Sequence, residues 1–205
     1  MNPHQPSPTL ASLLERQSEA ALKSPGPNNK LIDQAIEAAL LAPDHGNLKP
    51  QQFRVLRGDA REAFGERLAQ LLSEQNAEPA AIEKARQMPL RAPVIIAAAA
   101  KISDHPKVPA IEQEYCVAAS VMMMQLAFDA QGFGSMWRTG WLLDHPGVID
   151  ALGFSSDCRL VAVLYVGAAK YHRKKKRVLT LAQHRHFLNQ QDITANPHNT
   201  KQDEE

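Results

Sequence analysis

The sequence contains few of the residues that mark several large classes of protein. Its 205 residues include only two cysteines, Cys116 and Cys158, too few for a disulfide scaffold or a cysteine-ligated zinc site. Six Phe, three Tyr and two Trp make a base-stacking surface unexpected. The 23 basic and 22 acidic residues leave a net charge of +1, which argues against nucleic acid or an anionic membrane as the main partner. We therefore expect a globular protein of the reducing cytoplasm.

Long hydrophobic runs and targeting signals are also missing. The most apolar run, residues 115–128, contains Ser120 and Gln125 and falls short of the roughly 18–20 apolar residues that a membrane span needs. The N-terminus has neither the basic nor the apolar region of a signal peptide. From their polar composition we expect residues 1–8 and 189–205 to be disordered, with a single domain over residues 9–188.

Helical and strand patterns alternate within this domain. Apolar spacing and capping residues predict six helices. The first covers 9–22, the second runs from an N-cap at Asn29 to Pro43, and the third begins at a capping box of Asp59 and Glu62. The last three cover 79–87, 110–130 and the segment from Asp144 to near Gly153. Strands are predicted over 52–57, 92–102 and 160–166, with a short strand or loop at 135–139. Residues 92–102 have almost no polar side chain, which indicates a strand buried on both faces. We therefore expect an α/β or α+β sandwich in which helices cover a small sheet on both sides.

No familiar catalytic motif is present. The chain lacks a nucleophile elbow, a phosphate-binding P-loop and a zinc-protease motif. His184 and His186 have no nearby carboxylate or thiolate, so we expect no metal site. Gly132 and Gly134 follow a predicted helix rather than a strand, which favours a helix end over a dinucleotide-binding loop. Cys116 lies inside the predicted core helix and favours a buried, inert thiol.

Two further runs allow more than one interpretation. Residues 173–177 are five consecutive cations, for which we favour a solvated surface segment and keep phosphate recognition as an alternative. RNA binding through this run is a third, weaker hypothesis, because the rest of the chain is neutral. Methionines 122–124 point around a helix rather than along one face, and we expect them to fill the core.

Three polar clusters are less ordinary. Arg16, Gln17 and Ser18 follow one another near the end of the first helix, where an arginine beside a hydroxyl suits a phosphate monoester. Residues 42–50 combine two prolines and a glycine with many polar groups, which predicts a rigid loop between a helix and a strand. Residues 136–140 place a Trp and an Arg directly after the long helix.

Together these clusters resemble the nitroreductase-like flavoprotein family, with the closest likeness to its small bacterial NAD(P)H nitroreductases. The stretches that carry the likeness are LLERQS, LAPDHGNLKPQQFRVL, RAPVIIAAAAKISDHPKVPAIEQE and MQLAFDAQGFGSMWRTG. The likeness extends from about Leu10 to Gly167, and its motifs occur in the family's order and at its separations. It implies an α+β three-layer sandwich, a small central sheet flanked by helices, in a homodimer with two FMN molecules at the subunit interface.

The resemblance also implies roles for individual residues. The expected FMN contacts are Arg16, Gln17 and Ser18 at the phosphate and ribityl chain, Leu41, His45 and Lys49 along the flavin, and Trp137, Arg138 and Thr139 after the core helix. A nicotinamide contact at residues 127–132 is conceivable. No side chain is expected to act as a catalytic group, because flavin N5 carries the chemistry. Lys49 or Arg138 is the candidate for a positive group near flavin N1 and O2.

The activity implied is an FMN-dependent oxidoreductase. It passes electrons from NADH or NADPH to nitroaromatic, quinone-like or related acceptors by a ping-pong mechanism. The alternative is a flavin- or nucleotide-binding module without reductase turnover.

Two departures from the family pattern motivate that alternative. Family members commonly carry a second Arg at the position of Gln17, and close relatives tend to carry Arg at that of Leu41. The absence of each arginine removes a charge-assisted contact with a free energy of about 1.5–3 kcal/mol. Lys170, Arg173 or the cations after it are candidates to replace the missing charge.

Overall fold

The computed structural model describes residues 7–171 and, further along, Thr180, Ala182, His184, Arg185 and Phe187. The predicted disorder of residues 1–6 and 189–205, the basic run 173–177 and His186 lie outside the described residues. Among the few residues described beyond 171, the guanidinium of Arg185 lies 4.7 Å from the centroid of the Phe187 ring.

Seven helices and five strands follow one another in the segment 7–171. The helices are α1 (Pro8–Glu15), α2 (Asn29–Ala39), α3 (Asp59–Glu74), α4 (Pro79–Gln87), α5 (Ala110–Ala130), α6 (Trp141–Asp144) and α7 (Pro146–Ala151). The strands are β1 (Leu22–Lys23), β2 (Gln51–Arg57), β3 (Val94–Lys101), β4 (Gly134–Arg138) and β5 (Cys158–Ala169). Short 3₁₀ turns occupy His45–Asn47 and Met88–Arg91.

The strands form one antiparallel sheet around β5. The order is β1-β5-β3-β2, and β4 pairs with β5 as well. One face of the sheet is covered by α3, α4, α6 and α7, and the other by α2 and α5. This arrangement confirms the predicted three-layer α+β sandwich with a small central sheet.

Strand β3 shows why both faces must be covered. Ile95, Ala97 and Ala99 enter the core beneath α3, whereas Val94 and Ile96 enter the core beneath α5. All of these side chains are buried, as the lack of polar residues predicted. Edge strand β2 differs, because its Val55 is 40% exposed while Leu56 is buried.

Several predicted helix ends were wrong. The first helix ends at Glu15, because Arg16 leaves the helical region with ψ 134°, and the last residue of the predicted span, Leu22, begins the short strand β1. Helix α1 begins at Pro8, one residue early, with Ser7 as its N-cap. Asn28, not Asn29, caps α2 by accepting the Leu31 N–H at 3.0 Å.

Two other helix starts also differ. Gly58 precedes α3 without a side-chain cap, so Asp59 and Glu62 lie in the first turn and form no capping box. The helix predicted to begin at Asp144 begins instead at Pro146, as α7 with an N-cap at His145, and Asp144 is the last residue of the separate helix α6.

Helices α3 and α4 approach closely at a glycine, which gives a test of the packing. A Cβ at Gly65 would overlap the carbonyl oxygen of Arg86. We expect Gly65→Ala to lower the free energy of unfolding by about 1–3 kcal/mol in chemical denaturation, because a backbone carbonyl cannot easily move aside.

The sign of this effect is the diagnostic quantity. Helix propensity alone would make Gly65→Ala stabilising by about 1 kcal/mol. The matched control is Ala63→Gly at an exposed position of α3, which should cost only that propensity difference. A Gly65→Ala protein at least as stable as the wild type contradicts the close approach.

Candidate functional site

The arginine loop, residues 16–18, begins where α1 ends. The Arg16 backbone N–H donates to the Ser12 carbonyl oxygen at 3.1 Å and closes the last turn. Arg16 and Gln17 are partly buried, and Ser18 is exposed. Arg16 forms no ion pair with any residue that the structure describes, so its charge is available to an anion.

Backbone hydrogen bonds fasten this loop to the sheet. The Glu19 N–H donates to the Ser135 carbonyl oxygen in β4 at 2.9 Å. Two residues later, the Ala21 carbonyl oxygen accepts the Lys170 N–H at 3.0 Å, just beyond the end of β5. The arginine loop therefore lies beside the strand that carries Trp137 and Arg138. The backbone of Lys170 lies close to this loop, as would be needed for its side chain to replace the missing arginine charge.

Trp137 and Arg138 leave β4 on opposite faces of the sheet. Trp137 packs against the core beneath α5, whereas the Arg138 guanidinium lies 5.8 Å from the centroid of the Tyr165 ring in the core beneath α3. Alternation along a strand enforces this divergence. A ligand on one side of the sheet can therefore be faced by only one of these two side chains. Thr139, the next residue, is exposed.

Trp137 carries an unsatisfied donor. Its indole Nε1 is buried and has no hydrogen-bond partner among the described residues. Buried donors normally have a partner, and leaving one unmatched costs about 1–3 kcal/mol. A ligand with an acceptor atom would remove that cost.

The α2–β2 loop, residues 40–50, holds the second group of predicted residues in an unusual backbone conformation. Gly46, Asn47 and Lys49 all have positive φ values, of 76°, 53° and 52°. For a lysine this conformation costs about 1–2 kcal/mol. The Asp44 carboxylate offsets the cost by accepting the Leu48 N–H at 3.2 Å and the Lys49 N–H at 2.7 Å.

His45, in the same loop, is tied to the long helix. Its Nδ1 lies 2.6 Å from Oε2 of Glu112 in the first turn of α5, with the two side chains 59% and 40% exposed. The carboxylate fixes the imidazole orientation by holding one ring nitrogen, which leaves the other free for a ligand.

A cavity of about 460 Å³ opens beside this loop. We refer to it as the α2–β2 cavity; its lining includes the predicted residues Leu41 and Lys49 together with Leu40, Ala42, Asp44, Asn47 and Gln51. Leu41 is 78% exposed, and Lys49 forms no ion pair with any described residue. The cavity is thus lined by apolar side chains and by a lysine whose ammonium forms no ion pair with any described residue.

Gln51 and Cys116 lie at the base of this region. The Gln51 Nε2 donates to the Cys116 Sγ at 3.2 Å, and both side chains are buried. Burial, and secondly the nearby Asp44 carboxylate, raise the pKa of the Cys116 thiol. The thiol is therefore protonated at neutral pH, as expected for an inert core cysteine.

The two groups of predicted residues lie beside different stretches of α5. The α2–β2 loop meets the helix at Glu112 and Cys116, near its start. The segment beside the arginine loop meets it near its end, where the Gln125 Nε2 donates to the Ser135 Oγ at 3.1 Å. The nine residues from Cys116 to Gln125 correspond to about 14 Å of helical rise. Within one chain the two groups of predicted residues are therefore separated along α5 by about that distance.

Sequence reasoning missed three polar residues in these groups. Asp44 lies in the α2–β2 loop and Gln51 directly after it, but the sequence of this segment indicates no hydrogen-bond partner for either residue. Glu112 is 67 residues from His45 in sequence, so only the tertiary structure pairs them.

Other features lie apart from the predicted residues. A larger cavity, of about 610 Å³, lies between Glu114 of α5, helix α7 and the start of β5, and none of the nine predicted residues lines it. Within the described segment, no group of three His, Cys, Asp or Glu side chains is arranged to hold a metal ion. Likewise, no described helix has both the length and the apolar composition of a membrane span.

Known proteins share the sequence pattern of this chain. The sequence profile of the nitroreductase family matches residues 13–168. The chain is 39% identical over 158 residues to the Escherichia coli K12 protein named "Putative NAD(P)H nitroreductase YdjA", covering 77% of this chain and 86% of that protein.

Solved structures share the fold at lower sequence identity. A nitroreductase-like family protein from Bacillus cereus has a TM-score of 0.73 at 17% identity, covering 90% of this chain and 97% of its own. The FMN and NADPH-dependent nitroreductase NfnB from Sphigopyxis sp. strain HMH has a TM-score of 0.69 at 17% identity, covering 88% and 99%. The profile match spans the arginine loop, the α2–β2 loop and β4, and on this evidence the chain belongs to the nitroreductase family.

Proposed function

We propose that the protein is an FMN-dependent oxidoreductase that passes electrons from NADH or NADPH to nitroaromatic, quinone-like or related acceptors. The observation that carries the proposal is the family match over residues 13–168, because it spans all three segments expected to contact FMN. The relative from E. coli is named as an NAD(P)H nitroreductase, and NfnB is described as FMN and NADPH-dependent.

The described side chains fit such a cofactor. Arg16 has no acidic partner among the described residues and can hold the phosphate, with Gln17 and Ser18 beside it. Trp137 offers a buried indole N–H in need of an acceptor. Lys49 lines the α2–β2 cavity together with the apolar Leu41, and its ammonium is unpaired among the described residues. These groups match the anionic end, the polar edge and the apolar ring of FMN.

In this proposal the residues of the chain would bind and orient FMN, and FMN would supply the hydride and electron chemistry between the nicotinamide and the acceptor, in ping-pong order. Stacking and proximity are the main requirements for such a transfer. This division of labour accounts for the absence of a recognisable nucleophile or acid–base motif in the sequence.

The site needs two chains. Because the arginine loop and the α2–β2 loop meet different stretches of α5, we propose a homodimer in which each FMN contacts the arginine loop of one protomer and the α2–β2 loop of its partner. Exposed apolar residues supply a surface for this contact: Leu10, Leu13 and Leu14 on α1, and Ile111, Tyr115 and Met122 on α5. The spacing of the last three places them on one side of the helix. Burying such a surface favours association.

The compartment we propose is the cytoplasm. Both cysteines are free and buried, as suits a reducing environment.

The absorbance of the purified protein tests the proposal. We expect a yellow protein, or one that becomes yellow with added FMN, whose flavin band bleaches on anaerobic addition of NADH or NADPH. Addition of a nitroaromatic or quinone should then restore the band. A protein that takes up no FMN contradicts the proposal. Bound flavin that neither nicotinamide bleaches supports the alternative, a binding module without turnover.

Subunit mixing tests the shared site. Arg16→Ala and Lys49→Ala should each weaken FMN binding by about 1.5–3 kcal/mol, roughly tenfold to a hundredfold, since each removes a charge-assisted contact. In a heterodimer of the two variants, one site lacks both residues and the other has both. Half of the sites should therefore regain wild-type affinity in a fluorescence titration.

Two comparisons complete this experiment. Lys84→Ala, at an exposed position on α4, is the matched control and should leave FMN affinity unchanged. If each site used Arg16 and Lys49 of the same chain, mixing would restore no site, and the shared arrangement would be wrong.

A further inference from the structure

The α2–β2 loop contains a lysine in a conformation that lysine does not favour. Lys49 has φ 52°, in the left-handed region, and the next residue is Pro50. A residue before proline is driven towards extended conformations by contact with the proline ring. Gly46 and Asn47 tolerate positive φ more readily than lysine does. An interaction outside Lys49 must therefore hold its backbone in place.

Asp44 supplies that interaction. One carboxylate oxygen accepts the Lys49 N–H at 2.7 Å and the other accepts the Leu48 N–H at 3.2 Å. Hydrogen bonds to a charged acceptor are stronger than neutral ones. Both oxygens are thus bound to the backbone, and the Lys49 ammonium forms no ion pair with Asp44 or with any other described carboxylate.

We propose that Asp44 is a positioning residue for cofactor binding: its carboxylate holds Lys49 in the left-handed conformation and so places the lysine ammonium at the α2–β2 cavity, against the electronegative carbonyl edge of the FMN ring. This inference rests on the proposed function. In it, Asp44 affects FMN binding by fixing the backbone conformation of Lys49 and does not itself contact the flavin ring.

The consequence of removing Asp44 follows from the preference of Lys49 itself. Without the two acceptors, the backbone of Lys49 returns to the extended conformation that Pro50 favours, and the side chain leaves its place at the cavity. FMN then loses a positive neighbour. The loss is larger for the reduced cofactor, because reduction places negative charge on the ring.

Binding and potential measurements on the purified holoprotein test this inference. We expect Asp44→Ala to weaken FMN binding about tenfold and to lower the two-electron midpoint potential by about 30 mV, the shift equivalent to a tenfold affinity ratio between the two redox states. Lys49→Gln should produce similar changes. The double variant should bind FMN no more weakly than Lys49→Gln alone, because Asp44 acts through Lys49.

The sign of the potential shift separates positioning from a simple charge effect. A carboxylate that acted only through space would disfavour the reduced cofactor, so its removal would raise the potential in both the wild-type and the Lys49→Gln background. That result would overturn the proposal. Asp33→Ala, at an exposed position on α2, is the matched control and should leave affinity and potential unchanged.

Amide hydrogen exchange tests the same interaction without the cofactor. In the FMN-free protein, NMR should show the Leu48 and Lys49 amides protected in the wild type, exposed in Asp44→Ala, and partly protected in Asp44→Asn, which keeps one side-chain oxygen. Unchanged exchange in Asp44→Ala overturns the positioning role even if FMN binds. Protected amides in a wild-type protein that takes up no FMN overturn the proposed function instead, so the two failures are distinguishable.

Discussion

The burial of both faces of one alanine-rich strand is the constraint on which the rest of the structure depends. Strand β3 presents apolar side chains alternately to the core beneath α3 and to the core beneath α5, and neither set can face water without loss of the hydrophobic stabilisation. Helices must therefore cover the sheet on both sides. The same requirement places α5 against the sheet along its length, and so determines where the polar loops at its two ends can lie.

The polar groups are held by a different kind of interaction. Backbone hydrogen bonds join the segment after the arginine loop to β4 and to the end of β5, while side-chain carboxylates organise the α2–β2 loop. Two carboxylates bind residues of that loop: Asp44, within the loop, accepts backbone amides, and Glu112, in α5, binds His45. Arg16 and Lys49, the cations proposed to bind the cofactor, have no acidic partner among the described residues. Preorganised, unpaired charge is what an anionic cofactor requires.

Much of the fold could be predicted from the periodicity of apolar residues and from the residues that break helices and strands. Helices α4 and α5 and the buried strand β3 could be predicted from the pattern of their apolar residues, and Pro and Gly mark most of the breaks between elements. The errors lie at helix ends, where one residue decides the outcome. Arg16 leaves the helix although the predicted span continues to Leu22, and Asn28 caps α2 although Asn29 is an equally good capping residue. Such choices depend on the contacts of the flanking chain, which local sequence does not contain.

For the candidate site, the sequence by itself determined which residue types are available, in which loops, and that no metal or nucleophile motif accompanies them. The tertiary structure decided how they are arranged. Strand alternation sends Trp137 and Arg138 to opposite faces, and the length of α5 separates the two groups of residues that the family resemblance had joined. Likewise, only folding brings Glu112 to His45 and Gln51 to Cys116. The physical reason is that chemistry resides in side chains, whereas distance between residues remote in sequence is set by packing.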